Sequence, residues 1–386
     1  MIPKRMEEFL RGQLPEPTWS SRLVQEDGKC FIDFGPTDID RLKRLGIEAD
    51  HLGPKLVACL WDEQSDLEIG GYLVVDNLAM GRPSMGGIRM LPDITPGTIF
   101  NLARGMTLKN AAANLPYGGG KAGIVCGHLS SEEHTETIRR FARLLYRYRD
   151  IYLPGPDVGT NDADMKLIAI ENGLDNALSK PVEMGGNRID RLGAAGGGLI
   201  IALEALVKEL PRLLHLPQFS HLKIPEQSQV TILIQGFGAV GAQAAKHLCQ
   251  RLPSAKVVGI SDISGYLYAE SGLPIDQLYN IWEKQGIVMR PFYNTNLASL
   301  PLGASNIKYS NAPDDLLRET AFCLIPAAPI DNYLGTDNTS LPSMTTDKMG
   351  SWSLIIEGAN TYSPVHERKL SRQKMEREVY RNRGIL

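Results

Sequence analysis

Lys109, Lys121 and Asp157 have the residue types and settings from which acid–base chemistry can be built. Lys121 follows Gly118-Gly119-Gly120. Three glycines remove every Cβ beside the ammonium, so backbone and ligand can come close at an entropic cost that the fold must offset elsewhere. The run from Pro116 to Lys121 reads as a turn that places its lysine, and the apolar run Ala122 to Val125 follows it. Lys109 sits in a helix-periodic segment. Thr95 is a good N-cap and Pro96 suits the first helical position, while Ile99, Leu102, Met106 and Ala113 recur at spacings of three and four. Lys109 falls on that row, and a lysine on an inward stripe implies a buried anion or a cleft. The competing reading for both lysines is a solvated head, on a flexible turn for Lys121 and on a snorkelling stem for Lys109. Asp157 lies in the turn-rich run Gly155 to Asp162, where functional side chains concentrate, and Asp162 or Asp164 is the candidate helix cap there.

A second constellation uses backbone rather than charge. The β-branched run Gln229 to Ile234 leads into Gly236-Phe237-Gly238-Ala239-Val240-Gly241 and an alanine-rich helix. A second strand, Lys256 to Asp262, ends in an acid about 20 residues onward, where a carboxylate meets an adenosine ribose. A pyrophosphate would rest on the backbone N–H groups at the helix start. Asp262 argues for NAD, because a carboxylate repels a 2′-phosphate; Ser261 beside it leaves NADP as the alternative.

These motifs need a framework. At 386 residues the chain is long enough for two domains. The first half mixes strand-like runs, Lys55 to Trp61 and Gly71 to Val75, with helices such as Glu132 to Tyr148. Pro and Gly punctuation over 180–188 marks a connector, and a helix runs from Leu192 to about Leu210. The fold class is α/β, with a doubly wound parallel sheet in the second half. A net charge of −3 gives no reason to expect nucleic acid or an anionic membrane as partner. Five scattered cysteines without CxxC spacing read as reduced thiols in a cytoplasmic protein. The N-terminus is not a secretory signal, no apolar run approaches the ~18 residues of a membrane span, and no HExxH-type pair predicts a metal.

Gly86-Gly87-Ile88-Arg89-Met90, the run LARGMTLKNAAANLPYGGGKAGI (Leu102 to Ile124), PDVGTND (Pro156 to Asp162), QGFGAVG (Gln235 to Gly241), Ile325 to Ala328 and Glu357 to Asn360 together resemble the glutamate, leucine, phenylalanine and valine dehydrogenase superfamily. The motifs stand in the family's order and span roughly residues 30 to 386. The resemblance implies a substrate-binding, catalytic and oligomerisation domain over 1–185, a Rossmann-like NAD(P)-binding domain over 186–365, a cleft between them, and a C-terminal helix over 366–386 returning toward the first domain. It implies oxidative deamination of an L-amino acid to a 2-oxo acid and ammonia by a homo-oligomer. Lys109 would bind the substrate carboxylate, with Met85, Gly86 and Gly87 nearby. Lys121, its pKa lowered by Lys109 and by desolvation, would activate water, and Asp157 would shuttle protons. Gly236 to Gly241, Asp262, Ala327 and Asn360 would hold the dinucleotide.

Substrate choice turns on Met85. Glutamate dehydrogenases carry a lysine there that pairs with the substrate's side-chain carboxylate, whereas methionine offers an adaptable apolar wall. The expectation is an apolar or aromatic amino acid. Glutamate is the alternative, with Arg82 as the replacement cation. Ala195-Gly196-Gly197-Gly198 stands where the family has a threonine, and relatives continue beyond Leu386 into a helix that lines the cleft. Those departures favour a third reading, a nucleotide-binding relative without turnover.

Overall fold

In the computed structural model the chain forms two compact units, Met1–Arg188 and Ile189–Leu386. The structure describes residues 1–186, 192–226, 229–300, 305–330, 332–338, 341–359, 366–382 and 384–386.

The first unit is a seven-stranded mixed sheet between two helical layers. Its strands are β1 (Leu23–Glu26), β2 (Lys29–Phe34), β3 (Leu56–Asp62), β4 (Gly70–Val75), β5 (Ser84–Leu91), β6 (Gly118–Val125) and β7 (Tyr152–Pro156), in the order β1-β2-β3-β4-β6-β5-β7. Its helices are α1 (Lys4–Gln13), α2 (Glu16–Arg22), α3 (Ile39–Arg44), α4 (Pro96–Ala112), α5 (Ser131–Leu145) and α6 (Asp162–Asn172). Strand alternation divides the core. Tyr72, Val74 and Val125 pack with Met6, Leu42, Ile99 and Phe100 from α1, α3 and α4. Leu73, Val75, Ala122 and Ile124 pack with Ile138 and Phe141 of α5 and Met165 and Ile168 of α6.

The second unit begins with α7 (Ala194–Leu213) and continues through β8 (Thr231–Gln235), α8 (Ala239–Arg251), β9 (Lys256–Asp262), β10 (Gly265–Tyr268), α9 (Ile275–Gln285) and α10 (Met289–Asn296). β11 (Lys308–Ser310), β12 (Cys323–Pro326), the short pair β13 (Leu334–Gly335) and β14 (Met344–Thr345), β15 (Leu354–Ile355) and α11 (His366–Arg381) complete it. β9, β8, β12 and β15 are parallel, and β10 and β11 extend that sheet antiparallel. Ile232 and Ile234 face α7, α8, α9 and α10, while Leu233 and Leu324 face Met375 and Val379 of α11. The C-terminal helix α11 packs on the second unit. Its apolar positions Met375 and Val379 are spent on that unit's core, and Ile385 bridges to Leu354. No described helix is long and apolar enough to cross a membrane.

Candidate functional site

Lys121 occupies strand β6 rather than a turn. Register shows why glycines surround it. A Cβ on Gly119 would lie 2.2 Å from the backbone nitrogen and Oγ1 of Thr107 on α4, and one on Gly123 would meet Ile99 at 2.5 Å. One on Gly120 would lie 2.5 Å from Ser84 Oγ, and one on Gly118 would overlap the Asn77 carbonyl. The glycines let α4 and the neighbouring strands close onto β6, so the missing side chains make room for protein. Lys121 is flanked on its face of β6 by Gly119 and Gly123, and it is only 6% exposed.

Lys121 Nζ lies 2.9 Å from Asp157 Oδ2, and Arg89 Nε donates to that same oxygen at 2.8 Å. Burial pulls the Lys121 pKa below its ordinary range. Asp157 opposes this by attraction and hydrogen bonding, whereas Arg89 and then Lys109 pull it down further. Burial pushes the Asp157 carboxyl up, but Lys121 and Arg89 more than offset that and hold it below its ordinary value. The loop carrying Asp157 is itself fixed. Its backbone N–H donates to Thr160 Oγ1, which donates to the Ile88 carbonyl, and Met90 N–H bonds the Val158 carbonyl. Asn161 is the N-cap of α6, in a reciprocal box with Asp164, one of the two expected cap residues. The Tyr152 hydroxyl donates to the Gly86 carbonyl, tying β7 to the paired glycines of β5. Gly87 lets Asp157 approach, since a Cβ there would lie 2.8 Å from Asp157 Cβ.

Lys109 is exposed, not on the inward stripe. The buried face of α4 is Ile99, Phe100, Ala103, Arg104, Thr107 and Asn110, a row with the same helical period that hydropathy disguises because half of it is polar. Those polar groups are satisfied at a distance in sequence. Arg104 Nε pairs with the fully buried Asp76 at 2.7 Å, its Nη groups make a bidentate pair with Asp50, Thr107 Oγ1 donates to Asp76, and Asn110 donates to the Gly118 carbonyl. The sequence reading missed both Arg104 and the Arg89–Asp157 contact; Arg104 in a helix otherwise rich in small and apolar residues was the available signal. Met85, half-buried, registers with Gly119 and so shares the Lys121 face, as does Arg89 opposite Gly123. Arg82, the expected replacement cation, is exposed.

Helix α8 has no cap like Thr95: its N-cap is Gly238, with no side-chain hydrogen bond and no acid in the first turn. The three glycines have different reasons. Gly236 has φ +93° and packs on Ala328; a Cβ on Gly241 would lie 2.0 Å from the Gly236 carbonyl; a Cβ on Gly238 would meet nothing within 4 Å. The middle glycine thus leaves open space above uncapped N–H groups, which fits a pyrophosphate. Gly238 and Ala239 are exposed and Val240 is half-buried. Phe237, expected to hold the dinucleotide, has its side chain in the core at 1% exposed, and its N–H is committed to the Ser261 carbonyl. Asp262 sits at the end of β9, but both its oxygens are engaged, Oδ1 by Ser264 and Oδ2 by the N–H groups of Val288 and Met289. It ties the turn after β9 to the start of α10, a role invisible in the local motif. Ser261 is buried. Ala327 donates its N–H to the Gln235 carbonyl beside the glycine turn. Gln235, not singled out by sequence, is buried with neither amide atom hydrogen-bonded. Asn360 lies outside the described residues.

Comparison with known proteins was consistent across sequence and fold. Residues 58–172 match the family model described as Glu/Leu/Phe/Val dehydrogenase, dimerisation domain, and residues 185–373 match that of Glutamate/Leucine/Phenylalanine/Valine dehydrogenase. The NADP-specific glutamate dehydrogenase of Saccharolobus shibatae is 31% identical over 301 residues, covering 75% of this chain and 62% of that protein. The NAD-specific glutamate dehydrogenase of Staphylococcus aureus is 35% identical over 303 residues, covering 75% and 63%. The chain thus spans a little over three fifths of the length of these relatives. Among solved structures, the leucine-bound hetero-hexameric glutamate dehydrogenase of Thermus thermophilus aligns with a TM-score of 0.60 at 24% identity, covering 96% of this chain and 76% of that one. Glutamate dehydrogenase of Plasmodium falciparum aligns with a TM-score of 0.62 at 19% identity, covering 99% and 72%. Both show the same two-unit α/β fold.

Proposed function

The chain belongs to the glutamate, leucine, phenylalanine and valine dehydrogenase family, and on that premise we propose that it oxidatively deaminates an L-amino acid to a 2-oxo acid and ammonia. The observation that carries this reading is the buried Lys121–Asp157 pair at 2.9 Å. A lysine whose pKa is lowered by burial reaches its neutral, basic form at a lower pH than an ordinary lysine, and can then take a proton from water attacking an imine carbon. Asp157, held ionised, exchanges protons with the amino nitrogen. Lys109, exposed near this pair, offers an ammonium to the substrate carboxylate. NAD or NADP, seated on the N–H groups from Gly238 onward, supplies the hydride acceptor. The relatives named above are split between the two cofactors. We also assign the first unit to self-association and the protein to the cytoplasm.

The relatives' names favour glutamate as substrate. A second reading, an apolar amino acid, rests on Met85, half-buried on the Lys121 face where a cation would serve a glutamate side chain. Amino-acid-dependent NADH and NADPH production over glutamate, leucine, valine, phenylalanine and tryptophan at alkaline pH decides between them. The expected result is turnover that falls at least ~10²-fold in Lys121→Ala. A kcat/KM preference for glutamate removes the Met85 reading. No turnover with any substrate, in protein that still binds NADH, overturns the enzymatic assignment in favour of a binding relative.

A further inference from the structure

Asp157 is shared. Lys121 and Arg89 reach the same oxygen, Oδ2, at 2.9 and 2.8 Å, and the Arg89 side chain is only 18% exposed. A buried ion pair that must give up one of its charges faces a specific difficulty: when the lysine loses its proton, the carboxylate is left uncompensated, and that penalty holds the proton on. A guanidinium never deprotonates in this range, so one bound to the same oxygen removes the penalty. We propose that Arg89 is the positioning residue of this site: it keeps Asp157 compensated and in place while Lys121 alternates between its charged and neutral forms.

The surrounding charges agree with that division of labour. From α4 Lys109 acts on Lys121, and it is exposed; β4 presents Val74 opposite Lys121 in the ladder. The Asp76 that follows β4 is committed to Arg104 and Thr107. From β7 the fully buried Tyr152, its hydroxyl bonded to Gly86, stays neutral because burial raises its pKa. Arg89 is therefore the one permanent cation in direct contact with Asp157 among the described residues. Its Nε makes that contact, and β5 register sets it on the Lys121 face.

The inference rests on Lys121 acting as a base, so its test reads Lys121 both with and without turnover. Amine-directed labelling with acetic anhydride, quantified at Lys121 by peptide mass spectrometry from pH 7 to 11, gives the lysine's titration whether or not the protein is active. The pH profile of kcat/KM gives it during catalysis. In Arg89→Met the Lys121 titration is expected to move up by about one pH unit, and the alkaline-rising limb of kcat/KM with it. Arg89→Lys is expected to recover at least half of that displacement. If Arg89→Met fails to fold by circular dichroism, Arg89→Gln supplies the same reading. An unmoved titration in a folded variant, or Arg89→Lys behaving like Arg89→Met, overturns the proposal. Absence of turnover in the unaltered protein, with labelling displaced as expected, would instead count against the dehydrogenase reading and leave the role of Arg89 standing.

Discussion

Lys121 lies within β6 against α4, and Gly238 lies at the turn from β8 into α8; the two sites are held by different means. Around β6 side chains do the holding: Arg104 to Asp76 and Asp50 and Asn110 to the Gly118 carbonyl fasten α4, while Lys121 and Arg89 share Asp157. Around β8 the backbone does the holding, with Gly236 and Phe237 N–H groups on the Ser261 carbonyl and Ala327 on the Gln235 carbonyl. The difference follows from what each site must do. A base needs charges placed to tenths of an ångström, and only opposed charges in a water-poor setting give that. A phosphate cradle needs N–H groups and space, so the second unit leaves its central glycine bare.

Breaking the charged framework should have the larger effect. Arg104 is 2% exposed and Asp76 is fully buried, so Arg104→Met leaves a carboxylate without its cation. A loss of about 3–5 kcal/mol is expected, seen as a lower urea midpoint for the first unit. The double variant Arg104→Met, Asp76→Leu should recover part of it, because an apolar pair leaves no orphaned charge. A single variant as stable as the starting protein would show that the network is ornamental and the two regions are alike.

The glycines sharpen the comparison at smaller scale. Gly119→Ala puts a Cβ 2.2 Å from the α4 backbone and should cost about 1–3 kcal/mol. Gly238→Ala meets nothing within 4 Å and should leave stability within about 0.5 kcal/mol. It should nevertheless weaken NADH binding by about tenfold, or 1.4 kcal/mol, measured by fluorescence titration. Unchanged affinity would mean that the space above Gly238 is not where the dinucleotide lies.

What could be read beforehand follows the same divide. The Thr95 cap and Pro96 start of α4 were legible because capping is local, and so were the strand, turn and helix around Gly236. The orientation of α4 was not. Two rows of equal helical period compete there, and the apolar one lost because the polar one has partners 28 and 54 residues away in sequence. The same blindness hid Arg89, whose acceptor Asp157 is 68 residues distant, and hid the structural task of Asp262, whose oxygens serve the turn after β9 and the start of α10. Residue type announced which groups matter; the satisfaction of buried polar groups decided which way they point.

Asp50 offers the finest test of that rule, because it is the exposed end of the buried network. Hydrogen bonds from Arg104 lead the effects that bring its pKa from an ordinary 3.8 to about 2, against the opposing cost of burial. A carboxyl whose folded pKa is depressed stabilises the fold above its unfolded value and loses that contribution as pH falls toward the folded one. The advantage of the unaltered protein over Asp50→Asn should therefore be constant at neutral pH and shrink between pH 3.8 and about 2. With its side chain 41% exposed, solvent screening limits the effect to below about 1 kcal/mol. Urea midpoints of the two proteins at pH 6 and pH 3 measure it. A gap that does not narrow with acid would mean that Arg104 draws its stabilisation from Asp76 alone, and that the network ends at the buried edge of α4 instead of reaching the surface.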